Sequence, residues 1–273
     1  MDSFDHEKVL KILQSMRSEK PIISICTDFH RSFSLEQAIK AIGFRTIFSS
    51  FKNDNNFTLP PNMTSLLDFS FLIDKTPEQA RTILRTYKKQ AFKILSIGEE
   101  IHFVSQNAAK ILKGCLRTKP DVIICDHNIS EEDLKKAVHE AGSRLFMKSD
   151  YKPIILRISP EGDILSDGDT SLIVHGANNP IHNIICDPLM VGAFVAAAME
   201  ICEDCHFSAF SAALFLRASS RRALSVTNGP GSFYPVFIDS LYHLKRDYIY
   251  QVRFGALDKK SVDSHKDKHL EVA

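Results

Sequence analysis

The amino-acid sequence predicts an α/β domain with a mostly parallel central sheet and helices on both faces. Short apolar runs such as Ile22–Cys26 alternate with amphipathic stretches such as residues 34–42 through the first half of the chain, which is typical of a parallel sheet with crossover helices. The apolar runs show no polar alternation, so both faces of the sheet should be covered. The chain has 273 residues, enough for one such domain.

The individual elements follow from periodicity and from breaking residues. Apolar residues at helical spacing predict a helix over residues 5–18, which Pro21 ends, and the Thr76-Pro77-Glu78-Gln79 segment has the composition of a capped helix start. Strands are predicted at residues 22–26, 46–48, 69–73, 92–97 and 121–125, and near 153–158, 164–165 and 172–174. Further helices are predicted at residues 34–42, 101–116, 130–142, 189–201, 207–219 and 232–245.

The domain organisation is predicted to be simple. Residues 51–64 contain Asn, Asp and the Pro60-Pro61 pair, so we expect a loop there. Residues 1–250 should form a single domain, and residues 251–273 a polar, disordered C-terminal tail.

Composition and charge argue against polyanion and membrane partners. The formal net charge is +1, so no basic surplus is available for nucleic acid or an anionic bilayer. No apolar run approaches the roughly 20 residues that span a membrane. Residues 1–6 are acidic and polar, unlike a secretory or transit signal, so we expect a cytoplasmic protein with no nucleic-acid or membrane partner.

The cysteines are expected to be reduced. Four of the six lie in apolar surroundings, as Cys125 does after two isoleucines, which favours buried thiols over disulfides. Cys202 and Cys205, followed by His206, match the pattern of a haem attachment or of half a metal site. No second CxxC accompanies them in the sequence, so we interpret the pair as part of a helix end.

The most distinctive segment is Gly229–Leu241. Its glycines permit a tight turn, Ser232 is a suitable helix cap, and three apolar residues share one face of the helix that follows. The segment reads GPGSFYPVFIDSL and resembles the C-terminal signature GPGSFxPxFLDAL of the hydroxyethylthiazole kinase family.

Further segments resemble that family in the same order, over about residues 8–246. They are the first strand with Thr27-Asp28 and Gly43, the stretch from Cys125 to Glu131 (family RGNxSE), Ser159–Asp163 (TGExD) and residues 182–197 (the anion-hole loop and its helix). The resemblance implies a ribokinase-like fold, a homotrimer with active sites between subunits, and transfer of the ATP γ-phosphoryl group to 4-methyl-5-(2-hydroxyethyl)thiazole with Mg²⁺.

Some of the family's polar residues persist here. Asn128 and Glu131 match the pair that holds Mg²⁺ through water, although Glu131 also suits the first turn of a helix on electrostatic grounds alone. Ser159 keeps the hydroxyl of the ATP-contacting threonine, but it is also an ordinary turn residue. Thr27 and Phe48 fall on the thiazole side of the site, with Phe48 at a family methionine position.

Other family residues are replaced. Asp126 stands where the family has an ATP-contacting arginine, and Ser96 stands near the Asp of its DPV motif. The anion-hole sequence GTGC becomes residues 186–189, in which Pro188 has no N–H for a phosphate or substrate and Leu189 replaces the catalytic cysteine. Activity should therefore be impaired, because each lost donor of this kind costs about 2.7–4 kcal/mol of barrier.

Two interpretations of Asp187 and three of the whole protein remain open at this point. Related sugar kinases use an aspartate as the base in this loop, so Asp187 is a candidate base, and the alternative is that it caps the helix that follows. The protein is a weakened thiazole kinase, an inactive family member that serves as a binding or regulatory protein, or a kinase that acts on another hydroxyl-bearing heterocycle.

Overall fold

A computed structural model describes residues 4–27, 29–49, 57, 59–98, 106–126, 151–176 and 187–257. Within these ranges the chain forms one nine-stranded sheet with the strand order β2-β1-β3-β4-β5-β6-β7-β8-β9. The strands are β1 (Ile22–Cys26), β2 (Arg45–Ser49), β3 (Thr64–Asp68), β4 (Phe92–Ile97), β5 (Val122–Asp126), β6 (Ile154–Ile158), β7 (Gly162–Ser166), β8 (Ser171–His175) and β9 (Phe254–Ala256).

The first six strands are parallel and the last three join by antiparallel pairing. The helices are α1 (His6–Glu19), α2 (Phe29–Ile42), α3 (Phe69–Ile73), α4 (Pro77–Tyr87), α5 (Gln106–Leu116), α6 (Pro188–Ile201), α7 (Cys205–Leu224), α8 (Pro230–Tyr242) and α9 (Arg246–Tyr250). No helix in the described ranges is long and apolar enough to cross a membrane.

Two hydrophobic cores lie on the two faces of the sheet. Alternate residues of one strand enter different cores, as Leu66 and Leu67 of β3 do. The larger core receives residues from α1, α2 and α6 to α9, and the smaller one from α3, α4 and α5. Helices therefore cover both faces of a mostly parallel sheet, which confirms the predicted fold class and explains why the central strands are apolar throughout.

Helix α6 is the central helix of the larger core. All of its residues from Pro188 to Met199 are buried, as expected for a helix that is apolar all round. Gly192 allows the helix to approach the sheet, because a Cβ there would lie 2.6 Å from Cδ1 of Leu66. At the other end, Oε1 of Glu200 accepts a hydrogen bond of 2.9 Å from the backbone N–H of Thr64.

Two predictions about the elements are wrong. Residues 69–73 form helix α3 and not a strand, because Asp68 ends β3 and caps the helix by accepting from the Ser70 N–H. The C-terminal tail was expected to begin at residue 251, but residues 254–256 form β9, which pairs with β8. The ordered domain therefore extends beyond residue 250. The helix predicted at 130–142 lies outside the described residues.

Candidate active site

Polar side chains gather where the parallel strands end. Thr27 follows β1, Asp68 and Ser96 lie at the ends of β3 and β4, Asp126 closes β5, and Ser159 follows β6. Asp68 and Ser96 are direct neighbours across the β3–β4 ladder. Ligands of open α/β sheets bind at this carboxyl edge, which makes it the candidate active site.

The N-terminus of α6 also points to the carboxyl edge. Gly192, in the second turn of α6, packs against the middle of β3, whereas Glu200 at the far end reaches the first residue of that strand. The helix therefore runs antiparallel to the strands. Its first residues, 187–189, lie at the same edge as the strand ends.

Asp187 is the N-cap of α6. Its Oδ1 accepts a hydrogen bond of 2.9 Å from the Leu189 N–H, and Pro188 occupies the first helical position, where its missing N–H costs nothing. Leu189 is fully buried in the larger core. An N–H at this helix start is thus already bonded to a carboxylate, and the Leu189 side chain faces the core instead of a ligand.

Thr27 and Asp68 form a buried pair at the ends of β1 and β3. The Thr27 hydroxyl donates to Oδ2 of Asp68 over 2.8 Å, and Oδ1 of Asp68 accepts from the Ser70 N–H and hydroxyl at 3.1 and 2.7 Å. With its proton committed to Asp68, the Thr27 hydroxyl can meet a ligand only as an acceptor. Burial, and then the nearby Asp68 charge, raise the pKa of the Cys26 thiol, which keeps it protonated.

The ends of β2 and β5 place one aromatic and one acidic side chain, Phe48 and Asp126, at the candidate active site. Phe48 of β2 is partly buried against the larger core and is the register partner of Ile25 in β1. Asp126 is buried at the end of β5, opposite Ile158 of β6. The last residue of β5 therefore carries a carboxylate, where the family resemblance would place the guanidinium of an arginine.

Ser159 belongs to the tight β6–β7 turn. Its hydroxyl donates to the Gly162 carbonyl over 2.7 Å and accepts from the Gly162 N–H at 3.3 Å. Asp163, the next residue of β7, forms an ion pair with Arg217 of α7, and Arg217 also donates to the Ser159 carbonyl. Arg217 and Asp163 are each only 2% exposed, so the turn rests on a buried ion pair.

The predicted metal-binding pair, Asn128 and Glu131, lies outside the described residues. Across the part of the chain that is described, no group of three or more His, Cys, Asp or Glu side chains is placed to hold a metal ion. The Mg²⁺ site in the segment that follows β5 therefore remains a prediction from the sequence.

The CxxC segment lies away from this edge. Cys202 caps the C-terminus of α6, Asp204 caps α7, and His206 lies 3.9 Å from Asp167 in the β7–β8 turn at the opposite end of the strands. Both cysteines are free thiols, and burial raises the pKa of Cys205 to about 11. Burial also lowers the pKa of His206, against the charges of Asp167 and Asp204. Cys202 therefore lies at the end of α6 and Cys205 at the start of α7, whereas the sequence interpretation assigned both to one helix end.

Sequence reasoning missed three residues of the candidate site. Asp68 went unnoticed because residues 69–73 were interpreted as a strand, although an aspartate two positions before Ser70 is a typical helix cap. Arg217 was not singled out because an arginine among alanines, leucines and serines in a helix carries no motif. Gly176, whose N–H donates to the Glu161 carbonyl over 2.7 Å, was missed because it too belongs to no motif.

Comparison with known proteins gives a consistent set of likenesses. Residues 95–247 match the model of the hydroxyethylthiazole kinase family. A hydroxyethylthiazole kinase from Escherichia coli O81 (strain ED1a) is 29% identical over 93 residues, which is 34% of this chain and 36% of the relative. The alignment with such curated relatives thus spans about a third of their length.

Two solved structures share the fold. The hydroxyethylthiazole kinase protein from Pyrococcus horikoshii OT3 superposes with a TM-score of 0.70 at 14% identity, covering 92% of this chain and 100% of that one. The pyridoxal kinase from Staphylococcus aureus, solved with AMP-PCP and pyridoxal, gives a TM-score of 0.50 at 12% identity, covering 87% and 98% of the two chains. At such identities the likeness establishes the fold, which is the ribokinase-like arrangement expected from the sequence.

Proposed function

Since the chain belongs to the hydroxyethylthiazole kinase family, we propose that it transfers the ATP γ-phosphoryl group to the hydroxyl of 4-methyl-5-(2-hydroxyethyl)thiazole, at a reduced rate. The observation that carries this proposal is the span of the family match, residues 95–247. That span contains Asp126, Ser159 and helix α6, three of the features that meet at the carboxyl edge. The proposal includes a role in thiamine biosynthesis or salvage, a cytoplasmic location and a homotrimer.

The proposed ligand positions follow the strand ends. Thr27, Phe48 and Pro188 would contact the thiazole alcohol, and Asp126 and Ser159 would lie next to ATP. Since the Ser159 proton is bonded to the Gly162 carbonyl, Ser159 suits a donor group of the nucleotide, such as a ribose hydroxyl, better than a phosphate.

Asn128 and Glu131 would hold Mg²⁺. Carboxylate and amide oxygens are ligands that this ion accepts, usually with several waters, and the bound ion would neutralise charge on the phosphates. Asp126, just before this pair in the sequence, adds a carboxylate near the same place, which favours a cation and disfavours an unshielded phosphate.

The start of α6 supports the proposed reduced rate. A helix N-terminus normally offers N–H groups to an anion. Here Asp187 already bonds the Leu189 N–H and adds negative charge, and Pro188 has no N–H. Positioning by the rest of the site would persist, so slow transfer is expected instead of efficient turnover.

Proton removal has two candidate routes. The bond from the hydroxyl oxygen to phosphorus forms as the bond to the β–γ bridging oxygen breaks, and the hydroxyl proton must pass to a base or to water. Asp187 is the carboxylate at the helix start and could accept that proton. Its capping bond uses Oδ1, so a catalytic role requires Asp187 to serve both purposes.

The second candidate function is that of an inactive family member that binds ligands or a partner for regulation. The buried Leu189 at the cysteine position favours it, because an aliphatic side chain can neither donate nor accept a proton.

Calorimetric titration with ATP, with and without Mg²⁺, combined with a turnover assay on the thiazole alcohol, separates these proposals. We expect ATP to bind in the presence of Mg²⁺ and phosphate transfer to be slow but measurable. A ligand at 100 times its Kd should also stabilise the fold by about 2.7 kcal/mol. Binding without transfer would support the inactive alternative, and no binding would overturn the kinase proposal. Light scattering that finds only monomer would contradict the trimer.

A further inference from the structure

Arg217 is the largest side chain in the described residues that is almost fully buried. It projects from α7 between the buried residues Leu216 and Ala218, and its Nε donates to Oδ2 of Asp163 over 2.9 Å. Its Nη2 donates both to Oδ1 of Asp163 and to the backbone carbonyl of Ser159. One guanidinium therefore joins α7 to the first residues of β7 and to the residue that begins the β6–β7 turn.

The turn is closed from a second side by the end of β8. The Gly176 N–H donates to the Glu161 carbonyl over 2.7 Å. A Cβ at Gly176 would lie 2.3 Å from the Pro160 carbonyl oxygen and 2.8 Å from Nη1 of Arg217, so only glycine fits between them. The turn, the end of β8 and the guanidinium are packed in direct contact.

Stability alone does not account for this arrangement. Removing a guanidinium and a carboxylate from water carries a desolvation penalty that their attraction often fails to recover, and apolar residues of similar size commonly replace such pairs without loss. The planar fork of arginine instead supplies geometry, because its donors have fixed relative directions. Here those directions set the position of the Ser159 carbonyl relative to β7.

We propose that Arg217 is a positioning residue for the nucleotide, which it serves by holding the β6–β7 turn so that Ser159 is presented at the carboxyl edge. The inference rests on the proposed function, in which Ser159 lies next to ATP. Arg217 itself is buried behind the turn and acts through the Ser159 carbonyl and Asp163.

The test uses a paired apolar replacement, Arg217→Met with Asp163→Leu, because it removes the ion pair without leaving a buried charge. Calorimetry on the full-length protein would give the Kd of Mg-ATP and, separately, of the thiazole alcohol. We expect the paired variant to keep a thermal midpoint near that of the wild type and to bind Mg-ATP about tenfold more weakly, as loss of one positioned contact does. Binding of the thiazole alcohol should be unchanged, since Thr27 follows β1 and Phe48 lies in β2, and neither belongs to the β6–β7 turn.

Arg217→Lys provides the second variant. An ammonium can satisfy Asp163 but lacks the fork that also reaches the Ser159 carbonyl, so we expect a folded protein with weakened Mg-ATP binding. Equal weakening for ATP and the thiazole alcohol would indicate a merely structural role and overturn the proposal. Unchanged ATP binding in either folded variant would overturn it as well. Failure of the wild type to bind Mg-ATP at all would overturn the proposed function and this inference together, so the two failures are distinguishable.

Discussion

The start of α6 and the β6–β7 turn lie at the same edge of the sheet, and an aspartate organises each of them in a different way. Asp187 is half-buried and bonds an N–H only two residues away. Asp163 is almost fully buried and bonds a guanidinium 54 residues away in the chain. The first aspartate satisfies its own helix, and the second ties a helix to the sheet.

This difference has consequences for energetics and for chemistry. A capping bond is worth about 0.5–2 kcal/mol, whereas breaking a buried ion pair from one side costs about 3–5 kcal/mol because the other charge stays buried. The start of α6 can therefore change its chemistry at little cost to the fold. A substitution of Asp163 or Arg217 alone in the β6–β7 turn would be far more costly, because the charge of the other residue would stay buried.

The largest effect is expected for Asp163→Ala. The substitution leaves the Arg217 guanidinium buried without its carboxylate and should lower the free energy of unfolding by about 3–5 kcal/mol. Denaturant unfolding would measure it. Asp169→Ala is the matched control, since Asp169 pairs with Lys152 at 2.7 Å on the exposed β7–β8 turn. The control should change stability far less, and equal losses would contradict the contrast between the turn and a surface pair.

The next largest effect concerns the paired substitution Pro188→Gly with Leu189→Cys. It restores an N–H and a thiol at the start of α6 and should raise turnover by about 10²–10³, the range measured when one oxyanion-type donor is removed elsewhere. Turnover of the thiazole alcohol with ATP would be measured. The thermal midpoint would be measured as well, because the substitution removes a buried leucine and could lower stability.

Pro77→Gly controls for the backbone effect of the same exchange, since Pro77 is the first residue of α4 and no part of the proposed site. It should leave turnover unchanged. If the paired substitution at residues 188 and 189 also leaves turnover unchanged in a folded protein, the start of α6 is not what limits the reaction.

A smaller effect is expected for Gly176→Ala. The new Cβ would meet the Pro160 carbonyl at 2.3 Å, and inserting a group into packed structure typically costs about 1–3 kcal/mol. Gly255→Ala in β9 is the control, because a Cβ there meets nothing within 4 Å. Thermal unfolding of both variants would check this prediction. Similar thermal midpoints for Gly176→Ala and Gly255→Ala would show that the turn can shift to accommodate the new Cβ.

The smallest effect is expected at Asp187. Asp187→Asn keeps the capping acceptor and should leave stability within a few tenths of a kcal/mol, whereas Asp187→Ala should cost about 0.5–2 kcal/mol. Turnover should be the same in Asp187→Asn and the wild type if the carboxylate is only a cap. A fall of about 10²–10⁴ in Asp187→Asn would instead identify Asp187 as the base.

Elements with strong local signals were predictable. The capping box of Thr76 and Gln79, the apolar strand 92–97 and the apolar helix at 189–201 are all present at nearly the predicted bounds. The run Phe69–Ile73 was not predictable, because a short apolar segment fits a strand or a buried helix equally well. Strand β9 has three residues and depends on pairing with β8, so its own sequence carried little information.

In the candidate site, too, some features could be predicted from the sequence and others could not. The positions of Thr27, Asp126 and Ser159 at or just after the ends of strands follow from strand order along the chain, and their common edge follows from parallel pairing. The partner of Asp68 could not be predicted, since Thr27 is 41 residues away and reaches it only through the neighbouring strand.

The sequence by itself determined most of the strands and helices, their alternation and the family resemblance, because periodicity, caps and motifs act over a few residues. It also placed Pro188, which has no N–H, and Leu189 where the family resemblance predicts an anion hole. Only the tertiary structure decided that Asp187 bonds the Leu189 N–H, that Leu189 faces the core, and that Arg217 holds the turn of Ser159. These contacts depend on how distant segments pack against one sheet, and packing is a property of the whole chain that no local pattern records.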